Sequence, residues 1–320
     1  MITVLAGGVG AAKFLEGLAG VIPPEEITVI ANTGDDALFH GLHVSPDVDT
    51  VLYTLAGLVD RERGWGVAGD TFHCLEALGR MGEDTWFRLG DRDLATHLRR
   101  THRLRDGATL SQVTGELCVA LGVASRIVPM SDDPARTRLR TGAGMLSFQE
   151  YFVKLRQQPE VLAMDFSEAA LSRPAPGVLK SIQEAEAVVL APSNPFLSIG
   201  PILAVPGIRE ALRTTRAPVG AISPIVGGRA LKGPADRNLK SLGWEPSAAS
   251  VAELYGDFLK LFVLDSEDAS LREEIEKKGM RVAVTQTVMS SQETRQQLAR
   301  AVLQALQAPS STGVVSPGFS

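Results

Sequence analysis

The chain has 320 residues, 32 of them Lys or Arg and 37 Asp or Glu, for a formal charge of −5; hydrophobic residues make up 44% and aromatic residues 5%. That is a globular composition with enough chain for a full core and a second lobe, and its negative balance argues against a protein built to grip nucleic acid or anionic lipid. Two cysteines, Cys74 and Cys118, without CxxC spacing give neither a disulfide framework nor a zinc site, and no apolar run approaches the roughly 18 residues that span a bilayer.

Ile2-Thr-Val-Leu-Ala6 reads as a buried strand stopped by Gly7-Gly8, with a helix over Ala11 to Leu18. No basic segment or cleavage site precedes that strand, so a cytoplasmic enzyme of small molecules is expected. Ile27 to Ala31 is a second strand, ended by Asn32-Thr33-Gly34. Ala187–Ala191, Pro218–Ile222, Lys260–Leu264 and Arg281–Thr285 are four more, with helical stretches between most of them. Apolar strands alternating with helices predict a Rossmann-like, doubly wound, mainly parallel α/β sheet. From Thr50 to about Leu121 the text is mostly helical, with Thr109 as N-cap of Leu110 to Ala120; from Arg126 to Phe166 short runs alternate, as in Thr137–Thr141 and Phe148–Val153. The expected division is therefore a nucleotide-binding core from 1–60 and 177–306, an inserted helical and β-rich lobe over 61–176, and a flexible tail at 307–320. Within the core, Leu298, Val302 and Leu306 stripe the last helix.

Four groups of residues carry chemistry. Gly7-Gly8-Val9-Gly10-Ala-Ala-Lys13 follows the first strand and opens a helix, where glycines admit a phosphate and helix amides favour an anion. Lys13 stands where the third glycine of a dinucleotide fingerprint belongs, and Asn32 where its ribose-binding acid belongs, so the loop leans away from NAD. Asp35, Asp36, Asp47 and Asp49 follow the second strand at its carboxyl end. Singly they read as turn residues, with Asp49 as a helix cap; together, beside a phosphate loop, they suit a hard cation. Gly64-Trp65-Gly66, Gly69-Asp70-Thr71, Thr85-Trp86 and Gly90-Asp91 put aromatic faces and acids on loops, which suits a flat polar heterocycle, although Asp70 and Asp91 equally suit caps for the helices that follow them. Ser193-Asn194-Pro195, Ser198, Gly227-Gly228 and Lys232 lie on polar loops after later strands, able to read a base or ribose and to neutralise phosphate. His40 and His43 lack a third ligand for zinc, and no nucleophile elbow occurs.

Read together, Leu5-Ala-Gly-Gly-Val-Gly-Ala-Ala-Lys13, Asn32-Thr-Gly-Asp-Asp36, Ser45-Pro-Asp-Val-Asp-Thr50, Arg63-Gly-Trp-Gly66, Gly69-Asp-Thr71, Trp86, Leu89-Gly-Asp-Arg-Asp-Leu-Ala-Thr-His97, Pro192-Ser-Asn-Pro195, Ser223-Pro-Ile-Val-Gly-Gly228 and Lys232-Gly-Pro-Ala235 resemble the 2-phospho-L-lactate transferase family (CofD, FbiA in some bacteria). The resemblance implies an Mg²⁺-dependent enzyme of coenzyme F(420) biosynthesis. Such an enzyme moves phospholactate or phosphoenolpyruvate from a guanylyl-activated donor to the terminal ribityl hydroxyl of the deazaflavin Fo, releasing GMP; homodimers are usual. On that reading Asp49, then Asp35, hold the metal and act in catalysis. Gly8, Gly10, Lys13, Ser193, Asn194, Ser198, Gly227, Gly228 and Lys232 face the nucleotide and its phosphates. Asp36, Trp65, Asp70, Thr71, Trp86 and Asp91 hold Fo. The alternative is a non-catalytic regulator that binds nucleotide sugars, since similar glycine-rich and Asn-Thr-Gly-Asp-Asp segments occur there; an NAD-dependent oxidoreductase is the more distant rival.

Overall fold

A computed structural model describes residues 1–308. Seven strands form one parallel sheet: β1 (Ile2–Ala6), β2 (Ile27–Ala31), β5 (Arg126–Pro129), β9 (Ala187–Leu190), β10 (Val219–Ile222), β13 (Leu261–Asp265) and β14 (Arg281–Thr285), in the spatial order β14-β13-β10-β9-β1-β2-β5. Between them stand three antiparallel pieces: a hairpin of β3 (Ala37–Phe39) and β4 (Leu42–Val44); a three-stranded sheet of β6 (Arg138–Thr141), β7 (Gly144–Ser147) and β8 (Val161–Asp165); and a two-residue pair, β11 (Ile225–Val226) with β12 (Arg229–Ala230).

The six core strands expected from the sequence are all present; the five inner ones are apolar on both sides, and β14, at the edge, buries Val282 and leaves Val284 exposed. In β1 the neighbours Val4 and Leu5 face opposite layers, Val4 joining Val29 and Val189 and Leu5 joining Ile30 and Leu190. Such double-sided burial is what helices on both faces of a parallel sheet require. Five helices position the site: α1 (Gly8–Ala19), α2 (Pro46–Leu55), α3 (His73–Arg80), α4 (Asp93–Arg105) and α5 (Leu110–Ala120). Thr109 caps α5 as expected, taking the Gln112 amide while the Gln112 side chain returns to the Thr109 N–H, a closed capping box. The last helix, Gln292–Gln307, starts on Ser291 in the same way and packs on α1.

Two expectations change. Segment 61–176 is not one insertion: β5, from its middle, is the edge strand beside β2, in register from Thr28 opposite Arg126. Its Ile127 and Val128 are apolar enough to be buried, but four residues are too few to stand out between helical and alternating text. Phe148–Val153 is not a strand either; Glu150–Lys154 forms a wide helical turn that stacks Phe148 on Phe152, 5.4 Å between rings. Residues 309–320, most of the expected tail, lie outside the described residues, and among those described no helix is long and apolar enough to cross a membrane.

Candidate active site

The strand order reverses beside β1. From β1 the chain builds outward through β2 to β5 on one side and through β9 to β14 on the other, and open α/β sheets place ligands in the crevice at that switch, beyond the strands' carboxyl ends. The loops leaving β1 and β9 meet there. A Cβ on Gly10 would lie 2.3 Å from the Pro192 carbonyl oxygen, and one on Gly7 2.6 Å from Asp47 Oδ2 and 2.7 Å from Ser198 Cβ; Gly8 has φ +76°, a conformation glycine adopts without strain. The glycines thus let three segments close on one another. Between them opens a cleft of about 770 Å³.

Gly8, Gly10, Lys13, Ser193, Asn194, Ser198 and Lys232 line it, as the sequence predicts for the nucleotide and phosphate end. Ser193 Oγ is buried without a hydrogen-bond partner, which is costly unless something in the cleft uses it. Lys13 has its pKa lowered by burial first, then by the neighbouring cations of Lys232 and Arg295, a grouping that favours an anion between them. Asn194 is spent on structure: its Oδ1 accepts the Phe196 and Leu197 amides and its Nδ2 donates to Asn238. Gly227 and Gly228 are not on the cleft wall. Both have positive φ, +56° and +76°, and form the two-residue turn between β11 and β12 that this geometry serves.

The acidic residues split in two. Asp35 and Asp47 are buried, with Asp36 partly buried beside them. Burial, with Asp47 and Asp36 beside it, raises the Asp35 carboxyl well above the usual range. Burial likewise pushes Asp47 up to about 6, against the pull of the Asn32 amide, which donates at 2.8 Å, and of the Gly8 N–H. Asp35 Oδ2 accepts the Asp47 amide at 3.1 Å, while its Oδ1 is buried with no partner. Asp35 and Asp47 line the cleft; Asp36 does not. Asp36 instead braces the β3–β4 hairpin through His43 and Ser45, both 2.9 Å away, so its expected role on the acceptor is not what its contacts do.

Asp49, the first choice for the metal, has both oxygens engaged by the fully buried Arg100 guanidinium, one at 3.0 Å. This fork is the geometry arginine and carboxylate prefer, and it leaves Asp49 little to offer a cation. Arg100 Nη1 also lies 3.3 Å from His97 Nδ1, His97 Nε2 lies 3.1 Å from Asp93 Oδ1, and that oxygen accepts the Tyr53 hydroxyl at 2.7 Å. Asp49, Tyr53, Asp93 and His97 all line the cleft. Asp93, His97 and Arg100 are not among the site residues expected from the sequence, because polar residues four and three apart on α4 look like a solvated face. Tyr53 on α2 is missed with them because its partner, Asp93, lies on α4. Here the helix is inverted: Asp93, Thr96, His97 and Arg100 face inward while Leu98 is 56% exposed. Leu98 and the charged stripe are the signal that could have found them.

At the far end the wall is aromatic. Trp86 lines it as expected, joined by Phe87, Phe148 and Phe152, whereas Trp65, also on the cleft wall, follows the Arg63 carbonyl that takes the Lys232 ammonium at 3.2 Å and so lies toward the lysine side. Phe39 stacks on Phe87 at 3.8 Å and meets the Trp86 ring edge-on at 5.3 Å; Lys154 lies 5.5 Å from that ring. Asp70, Thr71 and Asp91 are absent from the lining. Asp91 accepts the His73 and Cys74 amides at 3.0 Å and the Thr71 hydroxyl at 2.5 Å, and Asp70 accepts the Arg92 and Asp93 amides. Each acid takes the first amides of the helix that the other one precedes, so the capping is crossed rather than the capping of its own following helix that the sequence offered, and both carboxylates are spent on these helix ends.

Comparison with known proteins agrees with this architecture. The family described as 2-phospho-L-lactate transferase CofD matches residues 2–307. The chain is 40% identical to the 2-phospho-L-lactate transferase of Methanosarcina mazei, covering 94% of this chain and 99% of that one. It is 45% identical to the phosphoenolpyruvate transferase of Streptomyces griseus, covering 95% and 97%. Among solved structures, a UPF0052-family protein from Bacillus halodurans shares the fold with a TM-score of 0.62 at 16% identity, over 94% of this chain and 98% of that one.

Proposed function

The chain belongs to the 2-phospho-L-lactate transferase CofD family, and from that premise we propose that its cleft transfers a phospho-acid from a guanylyl diphosphate-linked donor to the terminal ribityl hydroxyl of the deazaflavin Fo, releasing GMP, in coenzyme F(420) biosynthesis. It is a phospho-acid transferase; the donor's acid, phospholactate or phosphoenolpyruvate, is the finer part of the proposal. Relatives named for each acid stand at similar identity, 40% and 45%. A cytoplasmic homodimer belongs to the same reading on the family resemblance.

The carrying observation is that a single cleft runs from a glycine loop with two lysines and an unpartnered serine hydroxyl to an aromatic wall. Phosphates suit the first end, since Lys13, Lys232 and the α1 amides meet negative charge there. A flat ring suits the second, stacked on Trp86 and its neighbours. A ring so stacked would bring a hydroxyl of its side chain toward the diphosphate, and holding two reactants in line is much of what phosphoryl-type transfer asks of a protein.

Mg²⁺ fits the Asp35–Asp47 pair better than Asp49. Asp35 Oδ1 is a buried acceptor without a donor, and burial with neighbouring carboxylates raises both acids, a cost that a bound cation would relieve. When bound, the metal would neutralise charge developing on the diphosphate. Asn32 holds Asp47 in place, and Asp35 is fixed through its carbonyl by Gln149 at 2.8 Å.

The test is fluorescence anisotropy of Fo titrated with protein in the presence of GDP and Mg²⁺. Saturable binding is expected, weakened roughly tenfold or more in Trp86→Ala, since a stacked ring contributes about 1–3 kcal/mol. No binding by folded protein at tens of micromolar would overturn the reading and favour the nucleotide-sugar regulator.

A further inference from the structure

We propose that Asp93 and His97 are the pair that receives the attacking hydroxyl of the acceptor, Asp93 taking its proton and His97 donating to its oxygen. The inference rests on the transfer reading above and assigns within it the two groups that touch the nucleophile.

The carboxylates of the cleft are not equally free. Both oxygens of Asp49 are held by Arg100. Asp47 Oδ2 takes the Asn32 amide, with the Gly8 N–H also on that carboxylate, and Asp35 Oδ2 takes the Asp47 N–H while its unpartnered Oδ1 is sealed in the interior. Asp93 is different: Oδ1 takes the Tyr53 hydroxyl, while among the described residues no hydrogen bond reaches Oδ2, and this oxygen is not one of the sealed, unpartnered atoms of the interior. It is therefore an open acceptor on a residue that lines the cleft.

His97 supplies the complementary group. A guanidinium can only donate, so His97 Nδ1, 3.3 Å from Arg100 Nη1, must accept, and the ring proton sits on Nε2. That Nε2 makes no properly directed hydrogen bond although the residue is only 1% exposed; Asp93 Oδ1 is 3.1 Å away but lies off its direction. A buried N–H without an acceptor, one helical turn from an open carboxylate oxygen, is what a hydroxyl can satisfy at both ends. A phosphate would be repelled by Asp93, and an apolar ring would leave both groups unpaired.

In the step this implies, the acceptor oxygen forms a bond to the phosphorus that carries the acid, and the bond from that phosphorus to the GMP phosphate breaks, its electron pair leaving on GMP. The hydroxyl proton passes to Asp93 Oδ2 and then to water. Burial works to raise the Asp93 carboxyl, but His97, Tyr53 and Arg100 outweigh it and hold it below the usual range. Asp93 is thus ionised and ready to orient the hydroxyl, accepting the proton as the new bond makes that oxygen acidic. Tyr53 and Arg100 are positioning residues, one on each side of the pair.

Steady-state transfer with Fo and a guanylyl-activated phospho-acid tests the assignment. Asp93→Asn, which preserves shape, should lower kcat by about 10²–10⁴-fold while GDP binding stays within about threefold of wild type. His97→Leu should raise the KM for Fo about tenfold with a smaller change in kcat, the size expected of one lost hydrogen bond. Tyr53→Phe should reduce kcat only several-fold. A folded Asp93→Asn with near-wild-type kcat overturns the proposal; so does His97→Leu with an unchanged KM, which decides the matter if the Asp93 variant does not fold. Wild-type protein that binds neither Fo nor GDP would instead overturn the transfer reading itself.

Discussion

Two groups of acids stand on the same cleft and have been treated differently by the fold. Asp49 and Asp93 are enclosed by a guanidinium, an imidazole and a phenol, so their charge is balanced within the chain. Asp35 and Asp47 have backbone and amide donors only, and their carboxyls are pushed up by burial first, then by Asp47 and Asp36 in the case of Asp35 and by Asp36 in the case of Asp47. The first group is complete as a piece of structure and offers one open oxygen. The second has no cationic side chain of its own among its partners, which is why the proposed Mg²⁺ is placed there. The difference separates residues that shape a site from residues that await a ligand, and sequence spacing alone could not make it.

The largest effect that would sharpen this contrast is on the compensated side. Arg100→Met should destabilise the protein by about 3–5 kcal/mol, because it strands a buried Asp49 carboxylate. Arg100→Met combined with Asp49→Leu should recover most of the loss, since both charges are then gone. Urea unfolding of the three proteins measures it; a single variant as stable as wild type would break the contrast.

The uncompensated side predicts the opposite sign. Asp47 holds its proton in the fold to about 6, against an ordinary value of 3.8. A group raised in this way contributes stability below the ordinary value and loses it as pH rises through the folded value. Metal-free protein should therefore lose, on the order of 1–3 kcal/mol, stability between about pH 4.5 and 7.5 that Asp47→Asn does not lose. The variant should be the more stable protein at neutral pH. Millimolar Mg²⁺ should stabilise wild type and leave Asp47→Asn unchanged, by mass action on the folded state alone. Parallel pH profiles for the two proteins would remove Asp47 from the cation site.

The parallel core was legible because strands such as β1 and β9 are apolar on both faces, and no other arrangement buries Val4 and Leu5 at once. The glycine loop, Lys13, Ser193 and the two tryptophans were legible because close approach and stacking demand particular residue types in a short span. Asp93, His97 and Arg100 were not. Their partners are Tyr53 and Asp49 on another helix, and a helix with its polar stripe turned inward reads as a solvated one until the structure pairs it. Asp70 and Asp91 show the converse: a glycine-aspartate pair on a loop suits a ligand or a helix end equally, and only the amides of His73, Cys74, Arg92 and Asp93 decide.

Those caps provide the smallest and last test, a third state of a carboxylate beside the two in the cleft. The Thr71 hydroxyl first, then the Cys74 and His73 amides, hold the Asp91 carboxyl below its ordinary range. Its contribution is therefore full above the ordinary value and lost as pH falls through the folded one, the reverse of Asp47. Asp91→Asn should lower the melting temperature less than Arg100→Met does, with the deficit fading in acid, where wild-type Asp91 is protonated too. Fo affinity and the stabilisation by Mg²⁺ should both stay at wild-type levels, because the acid secures α3 and Thr71 and lies off the cleft wall. A marked loss of Fo affinity at unchanged melting temperature would return Asp91 to the acceptor pocket and place cap and ligand on one carboxylate.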